Sequence, residues 1–197
     1  MRGKIIAALA LWCFAAGPAF AHVGHGQAAG FAHGFFHPLS GLDHIIAMVA
    51  VGLYAANLGG RNLWLLPLAF VTTMIFGGTL GYSGFPLPLV ERGIGFSVVV
   101  MSMAVAAGVN LPTVAAMALV SLFALFHGHA HGSEGAALSS FLPYAAGFVI
   151  ATASLHFAGV GLGLGLDKFG MTVSLALKRA LGVAGALAGL AILAGAV

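Results

Sequence analysis

The stretch HPLSGLDHIIAMVAVGLYAANLGGR, residues 37–61, decides the fold of this chain. It contains an apolar run over residues 42–58 that carries an aspartate and a histidine in its first turn and ends at Gly59-Gly60-Arg61. A helix needs about 20 apolar residues to cross the hydrocarbon core of a bilayer, so the run predicts a membrane-spanning helix. Because ionisable side chains are expensive inside a span, Asp43 and His44 indicate a functional site.

The rest of the chain has the same apolar character. Of its 197 residues, 61% are hydrophobic and 6% are charged, and the mean hydropathy is +1.10. Soluble domains carry about 25% charged residues, so this composition excludes a soluble enzyme. It also excludes a nucleic-acid binder, which needs a basic face, and a disordered protein. We therefore predict an all-α integral membrane protein whose surroundings are the lipid bilayer. The single cysteine, Cys13, excludes a disulfide framework.

The first 21 residues have the features of a secretory signal peptide. Arg2 and Lys4 supply the positive start, the apolar segment 5–16 is too short to span a bilayer, and Ala19-Phe20-Ala21 is a cleavage signal. We predict that residues 1–21 are removed and that residues 22–197 form the mature protein; an uncleaved first helix is the alternative. Cleavage would make His22 the N-terminus, where its amine and imidazole could chelate a metal ion together.

The mature chain contains six apolar runs, which predict six transmembrane helices in one domain, residues 22–197. They cover roughly residues 42–58, 63–81, 89–107, 112–126, 141–161 and 173–197. Short connections predict that sequential helices are antiparallel neighbours. The spacings Gly77-x-x-x-Gly81 and Gly185-x-x-x-Gly189 indicate close helix contacts, and the alternating glycines of residues 159–165 are typical of a flexible turn.

The basic residues predict how the protein lies in the membrane. With the mature N-terminus outside, Arg61, Lys168, Lys178 and Arg179 fall on the cytoplasmic side, and Arg92 remains outside. This distribution follows the positive-inside rule and agrees with a signal peptide. We therefore expect a multi-pass protein of the bacterial inner membrane with both mature termini in the periplasm.

Histidines are unusually frequent and lie mostly on one side of this topology. The chain has nine histidines against four acidic residues. Eight of the nine lie at or beyond the outer ends of the predicted spans, and only His156 lies towards the cytoplasmic side. A lone histidine in a helix bundle is more often a satisfied packing residue, so we interpret His156 in that way and keep a relay role as the alternative.

The first histidine cluster surrounds the start of the first span. His37 and His44 are seven residues apart, two helical turns, so they can share one face of a helix that begins at Pro38. Imidazole binds nickel, cobalt, copper and zinc, and the Asp43 carboxylate would offset part of the cation's charge. We hypothesise a metal site here; the alternative is a helix cap with histidines at the interface.

The second cluster is FHGHAHG, residues 126–132. On a helix His127 and His131 would share a face, and in an extended segment His129 would join them. Short histidine-rich tracts are typical of metal binding, although a solvated loop that gathers metal without selectivity is the alternative. Glu134 is interpreted as a loop charge.

One further acid belongs to the candidate ligands. Glu91 opens the third predicted span at its outer end, next to Arg92. An ionisable residue at that position is a candidate metal ligand. A mutual ion pair of the two side chains at the interface explains the pattern equally well.

With these two clusters the sequence resembles the HupE/UreJ family of nickel/cobalt permeases, which are associated with hydrogenase and urease maturation. The family pattern of a histidine, five residues and Asp-His stands here as His37 to Asp43-His44, and the Phe-His-Gly-His-Ala-His-Gly pattern stands at residues 126–132. The resemblance implies secondary uptake of nickel, or of cobalt, into the cytoplasm. It also implies that the protein is not an enzyme and that the metal ion is a transported substrate rather than a cofactor. It also implies core roles for His37, Asp43 and His44, with Glu91 and the second cluster in support.

Two functions from other classes remain as alternatives. A membrane haem or di-metal oxidoreductase could use His44 and His127 as facing ligands. An intramembrane serine protease could use Gly81-Tyr-Ser83-Gly84 with His127 or His156 as the base. The chain contains no P-loop motif for ATP hydrolysis. Nickel, cobalt and zinc cannot be ranked by ligand type, and the sequence leaves open a coupling ion and a homo-oligomer.

Overall fold

A computed structural model describes residues 27–138 and 140–195, and this part of the chain is entirely helical. Its seven helices are α1 (Gln27–Ser40), α2 (Leu42–Leu58), α3 (Asn62–Tyr82), α4 (Val90–Ala107), α5 (Thr113–Gly135), α6 (Phe141–Asp167) and α7 (Met171–Leu193). The expected signal peptide of residues 1–21 and the candidate ligand His22 lie outside the described residues.

The helices have the length and composition of membrane spans. Five of them, α3 to α7, are long and apolar enough to cross a membrane, and α1 with α2 would add a sixth crossing as one broken span. The all-α class predicted from composition is therefore confirmed, and α2 to α7 coincide with the six predicted runs. The main difference is α5, which continues to Gly135 and so carries the whole second histidine cluster on a helix.

The chain bends sharply at Gly41, where α1 and α2 meet at 79°. The Ser40 hydroxyl donates to the His37 carbonyl (2.7 Å), satisfying one of the free carbonyls at the end of α1. Gly41 is extended, with φ −92° and ψ 121°, and its carbonyl accepts the first hydrogen bond of α2. The predicted helix from Pro38 through His44 is therefore wrong: Pro38 lies in the last turn of α1.

Helix α2 lies at the centre of the bundle and packs against α1, α3, α4, α6 and α7. The most extensive contacts join α3 to α5, α4 to α7, and α6 to both α1 and α2. None of these pairs is consecutive in the chain. Consecutive helices such as α2 and α3, or α4 and α5, do pack together as predicted, but their contacts are smaller. Close packing in a membrane is set by which small-residue faces match rather than by the length of the connections.

Glycines set the closest of these contacts, between α3 and α5. Gly77 and Gly81 of α3 lie against the backbone of α5, and Gly128 and Gly132 of α5 lie against the backbone of α3. A Cβ atom at any of the four would overlap a backbone atom of the other helix. The contact role predicted for the Gly77 pair is confirmed, and the glycines of the second histidine cluster have the same role.

The glycines of residues 159–165 belong to a helix, because α6 continues to Asp167. Gly159 lies against the α2 backbone at Val49, and Gly163 lies against Ala56. The predicted flexible turn is wrong because glycines four residues apart allow α2 to approach rather than end the helix.

An ion pair joins the adjacent ends of α6 and α7. The Lys178 ammonium donates to an oxygen of Asp167 at 2.7 Å, and the Ser174 hydroxyl donates to the same oxygen at 2.6 Å. Lys178 is buried whereas the Asp167 side chain is half-exposed. Lys178, which in the sequence serves only to predict orientation, therefore also holds α7 against the end of α6.

Candidate metal site

Four imidazoles converge where α1, α2 and α5 meet. His37 comes from α1, His44 from α2, and His127 and His131 from α5. Ring centroids are 4.9 Å apart for His37 and His131, 4.9 Å for His131 and His44, and 4.7 Å for His44 and His127. The break at Gly41 produces this convergence, because it turns two histidines of different helices towards α5.

The inner ligand group is His44, His127 and His131. One ring nitrogen from each lies within 4.8 Å of the other two. Nitrogens bound to one metal ion at about 2.0–2.1 Å lie about 3–4 Å apart, so small side-chain movements would close the group around an ion. His44 Nε2 and His127 Nδ1 are buried and have no hydrogen-bond partner among the described residues. Each unpaired buried nitrogen costs about 1–3 kcal/mol, so binding of a ligand to these nitrogens would recover that free energy.

Ser97 of α4 determines which nitrogen of His127 can bind. Its hydroxyl donates its proton to the Ile94 carbonyl at 2.6 Å and lies 2.8 Å from His127 Nε2. A hydroxyl that donates to the Ile94 carbonyl can accept from His127 Nε2–H, and this tautomer leaves the lone pair on Nδ1, the ring nitrogen that has no other partner among the described residues. Hydrogen bonds of this kind orient metal-binding histidines in other proteins.

The outer ligand group is His37, His131 and Glu134, with one ligand atom from each within 4.8 Å of the others. His131 Nδ1 lies 2.9 Å from a Glu134 carboxylate oxygen, and His37 Nε2 lies 3.4 Å from the same oxygen. Because His131 donates Nδ1–H to the carboxylate, its Nε2 lone pair remains for the inner group. His131 therefore belongs to both groups.

Exposure decreases steadily along this row of side chains. Side-chain exposure is 54% for Glu134, 33% for His37 and 13% for His131. The relative exposure to solvent is 3% for His44 and 0% for His127. The row therefore leads from the surface into the bundle interior, with a carboxylate at its mouth.

Aromatic rings of α6 line the row on one side. The Phe148 ring centroid lies 4.4 Å from that of His131 and 5.2 Å from that of His44. Tyr144 packs on His37 at 6.1 Å. Rings in these positions exclude water, and lower local polarity strengthens interactions between an ion and its ligands.

Three predicted ligands lie apart from both groups. Asp43 is half-buried in the first turn of α2, with its carboxylate folded next to Gly41. Glu91 is exposed in the first turn of α4. His129 donates from Nε2 to the Phe85 carbonyl at 2.6 Å, which ties α5 to the loop before α4. Within the second cluster, His127 and His131 face α2 and His129 does not, because residues four apart share one face of a helix.

Sequence reasoning missed Glu134 and Ser97. Glu134 was interpreted as a loop charge because α5 was expected to end near Phe126; on a helix its place three residues after His131 puts the two side chains together. Ser97 has no sequence signal, since only the packing of α4 on α5 brings it to His127.

The two alternative functions have no support in the geometry. The exposed Ser83 hydroxyl donates to the Leu80 carbonyl, and no histidine in the described ranges hydrogen-bonds to it. The rings of His44 and His127 touch edge to face, which leaves no space for a porphyrin between them.

Comparison with known proteins identifies the family of this chain. The family model described as HupE / UreJ protein matches residues 9–192. The chain belongs to the HupE/UreJ family. It is similar to Protein HupE of Rhizobium leguminosarum bv. viciae, with 48% identity over 178 residues that cover 90% of this chain and 91% of the relative. No solved structure matches the chain. The resemblance seen in the two histidine motifs is therefore confirmed, and in this HupE/UreJ protein both motifs contribute to one site.

Proposed function

We propose that this HupE/UreJ protein is a secondary transporter that takes up nickel, or cobalt, across the inner membrane to supply metalloenzymes such as hydrogenase or urease. The observation that carries the proposal is the row of four imidazoles that passes from an exposed carboxylate to buried, unpaired nitrogens. A resident metal site needs no such gradient, whereas a cargo site must connect water with the bundle interior.

Capture begins at the outer group. The Glu134 carboxylate attracts a hydrated divalent cation, and the neighbouring imidazoles of His37 and His131 replace part of its water. Asp43 and Glu91 lie outside the ligand groups but add negative charge around the mouth, which raises the local cation concentration. Their role in this proposal is attraction rather than coordination.

Transfer to the inner group uses the shared ligand. His131 takes part in both groups, so an ion can exchange Glu134 and His37 for His44 and His127 without losing every protein ligand at once. The inner group contains three imidazoles and no carboxylate. Moderate binding of this kind suits conduction, which requires that an ion can also leave.

The ligand chemistry defines the cargo class. Imidazole suits nickel, cobalt, copper and zinc, whereas magnesium and calcium prefer oxygen ligands. With the periplasmic orientation proposed from the positive residues, the membrane potential would supply about 4.6 kcal/mol per 100 mV for an entering divalent ion. That energy makes ATP hydrolysis unnecessary.

Uptake of radioactive nickel by cells that express the protein tests the proposal. His131→Gln removes the shared imidazole, and we expect uptake to fall at least about tenfold, because each lost ligand weakens both groups. His129→Gln is the matched control: it lies two residues away, its amide N–H can still donate to the Phe85 carbonyl, and uptake should persist. Equal uptake by both variants at equal membrane levels would refute the proposal.

A further inference from the structure

Below the inner ligand group, one more histidine is buried without a partner. His156 of α6 has no exposed surface, and neither ring nitrogen has a hydrogen-bond partner within the described part of the chain. The expectation of a satisfied packing residue is therefore wrong. Leaving such groups unpaired costs about 1–3 kcal/mol each, so an apolar residue would fill this position better if packing were its only role.

A second unpaired polar group lies on the same face of α6. The Thr152 hydroxyl is also completely buried and unpartnered among the described residues. Because Thr152 and His156 are four residues apart on a helix, their side chains project from one face. An imidazole nitrogen and a hydroxyl oxygen are therefore available together in an otherwise apolar interior.

The position is deep in the bundle. The backbone of His156 meets Gly52 of α2, eight residues beyond His44. At the helical rise of 1.5 Å per residue, the backbone at Gly52 is roughly 12 Å further along α2 than the backbone at His44. The backbone of His156 therefore lies closer to the opposite end of α2 than the backbone of His44 does.

One phenyl ring lies against both His156 and His127 of the inner ligand group. The centroid of Phe70, on α3, lies 4.8 Å from that of His156 and 5.8 Å from that of His127. Phe70 is itself buried at the centre of the core. Rotation of this one side chain would bring the two imidazoles into connection.

We propose that His156 and Thr152 form a second binding position for the transported divalent cation, reached from His127 past Phe70. This inference rests on the proposed transport function. The imidazole lone pair would bind the ion, and the Thr152 hydroxyl would bind it directly or hold one of its remaining waters. The ion would then cross the apolar middle of the bundle in two short steps instead of one long step without ligands.

The test replaces His156 by leucine, which fills the space and removes both unpaired nitrogens. We expect nickel uptake by cells to fall at least about tenfold, equivalent to about 1.4 kcal/mol in the transport barrier. Nickel affinity of the purified protein at the inner ligand group should remain within about twofold of wild type, because His156 is not one of its ligands. Ser154→Ala is the matched control, since that exposed hydroxyl bonds only to the Ile150 carbonyl of its own helix.

Each outcome has a defined meaning. If wild type accumulates nickel and His156→Leu does so at a similar rate, the second binding position is refuted while the transport function stands. If wild type accumulates no nickel, cobalt or zinc, the transport function itself fails. If the leucine variant does not reach the membrane, Thr152→Val is the deciding variant. A reduction of uptake by about threefold or more, which is the effect of one lost hydrogen bond, supports the second binding position. Unchanged uptake overturns it.

Discussion

Replacing Ser97 by alanine removes a single buried hydroxyl that touches no ion, and it should still weaken metal binding. In the native site this hydroxyl lies 2.8 Å from His127 Nε2 and donates its own proton to Ile94. The bond holds the His127 hydrogen on Nε2. Without it, the hydrogen can move to Nδ1 and occupy the lone pair that faces His44.

The expected size of the effect follows from burial. Ser97 and His127 are both essentially inaccessible, so no water can take the place of the lost hydroxyl without rearrangement. Binding of a cation makes the Nε2–H a stronger donor, so the missing acceptor is felt most in the bound state. Loss of such outer-shell partners typically lowers metal affinity 10–100-fold, which corresponds to about 1.4–2.7 kcal/mol.

Calorimetric titration of nickel into the purified protein in detergent measures this difference. Ser102→Ala is the matched control, because Ser102 is a buried serine of the same helix that faces Gly185 of α7 instead of the metal site. Its nickel affinity should equal that of wild type. A dissociation constant for Ser97→Ala within about twofold of wild type, with an unchanged melting temperature, would refute the assignment of the His127 tautomer.

Three further predictions concern other parts of the molecule. Gly132→Ala places a Cβ against the α3 backbone, so it should lower stability by about 1–3 kcal/mol in thermal unfolding; an unchanged melting temperature would contradict the glycine contact. Asp167→Asn should destabilise the folded protein by about 2–3 kcal/mol, because it leaves the buried Lys178 ammonium without its carboxylate. Lys178→Met removes the buried charge itself and should cost less than about 1 kcal/mol. Thermal unfolding measures both, and a larger loss for Lys178→Met would contradict the prediction. Glu134→Gln should raise the KM for nickel uptake about three- to tenfold, from the lost charge-assisted contact at the mouth, with a smaller change in maximal rate. Transport kinetics at graded nickel concentrations check this, and an unaltered KM would place capture elsewhere.

Much of the helical layout could be predicted from local signals. The boundaries of α2, α3, α4 and α7 follow apolar runs between glycine, proline and charged breaks, and the structure agrees within a few residues. The two histidine motifs likewise identified His37, His44, His127 and His131 as candidates before any geometry was known. These features are readable because hydrophobicity and residue type act within a single segment.

The errors have a common physical origin. The break at Gly41, the continuous helix through residues 159–165 and the extension of α5 to Gly135 depend on what lies beside each segment rather than within it. Glycine destabilises an isolated helix in water but allows two helices to pack closely in a membrane bundle. A glycine in the sequence therefore fits both the end of a helix and a contact between helices.

The sequence by itself determined that this chain is a helical membrane protein with a cluster of histidines and acids, the side-chain types that bind transition metals, near one end of its predicted spans. Only the tertiary structure decided which of those side chains meet: it joined Glu134 to the histidines, set His129 apart, and brought His156 against Phe70, which also contacts His127. The physical reason is that ligand geometry requires atoms from several helices within a few ångströms. That proximity arises from the close approach of glycine-lined faces, which no single helix encodes alone.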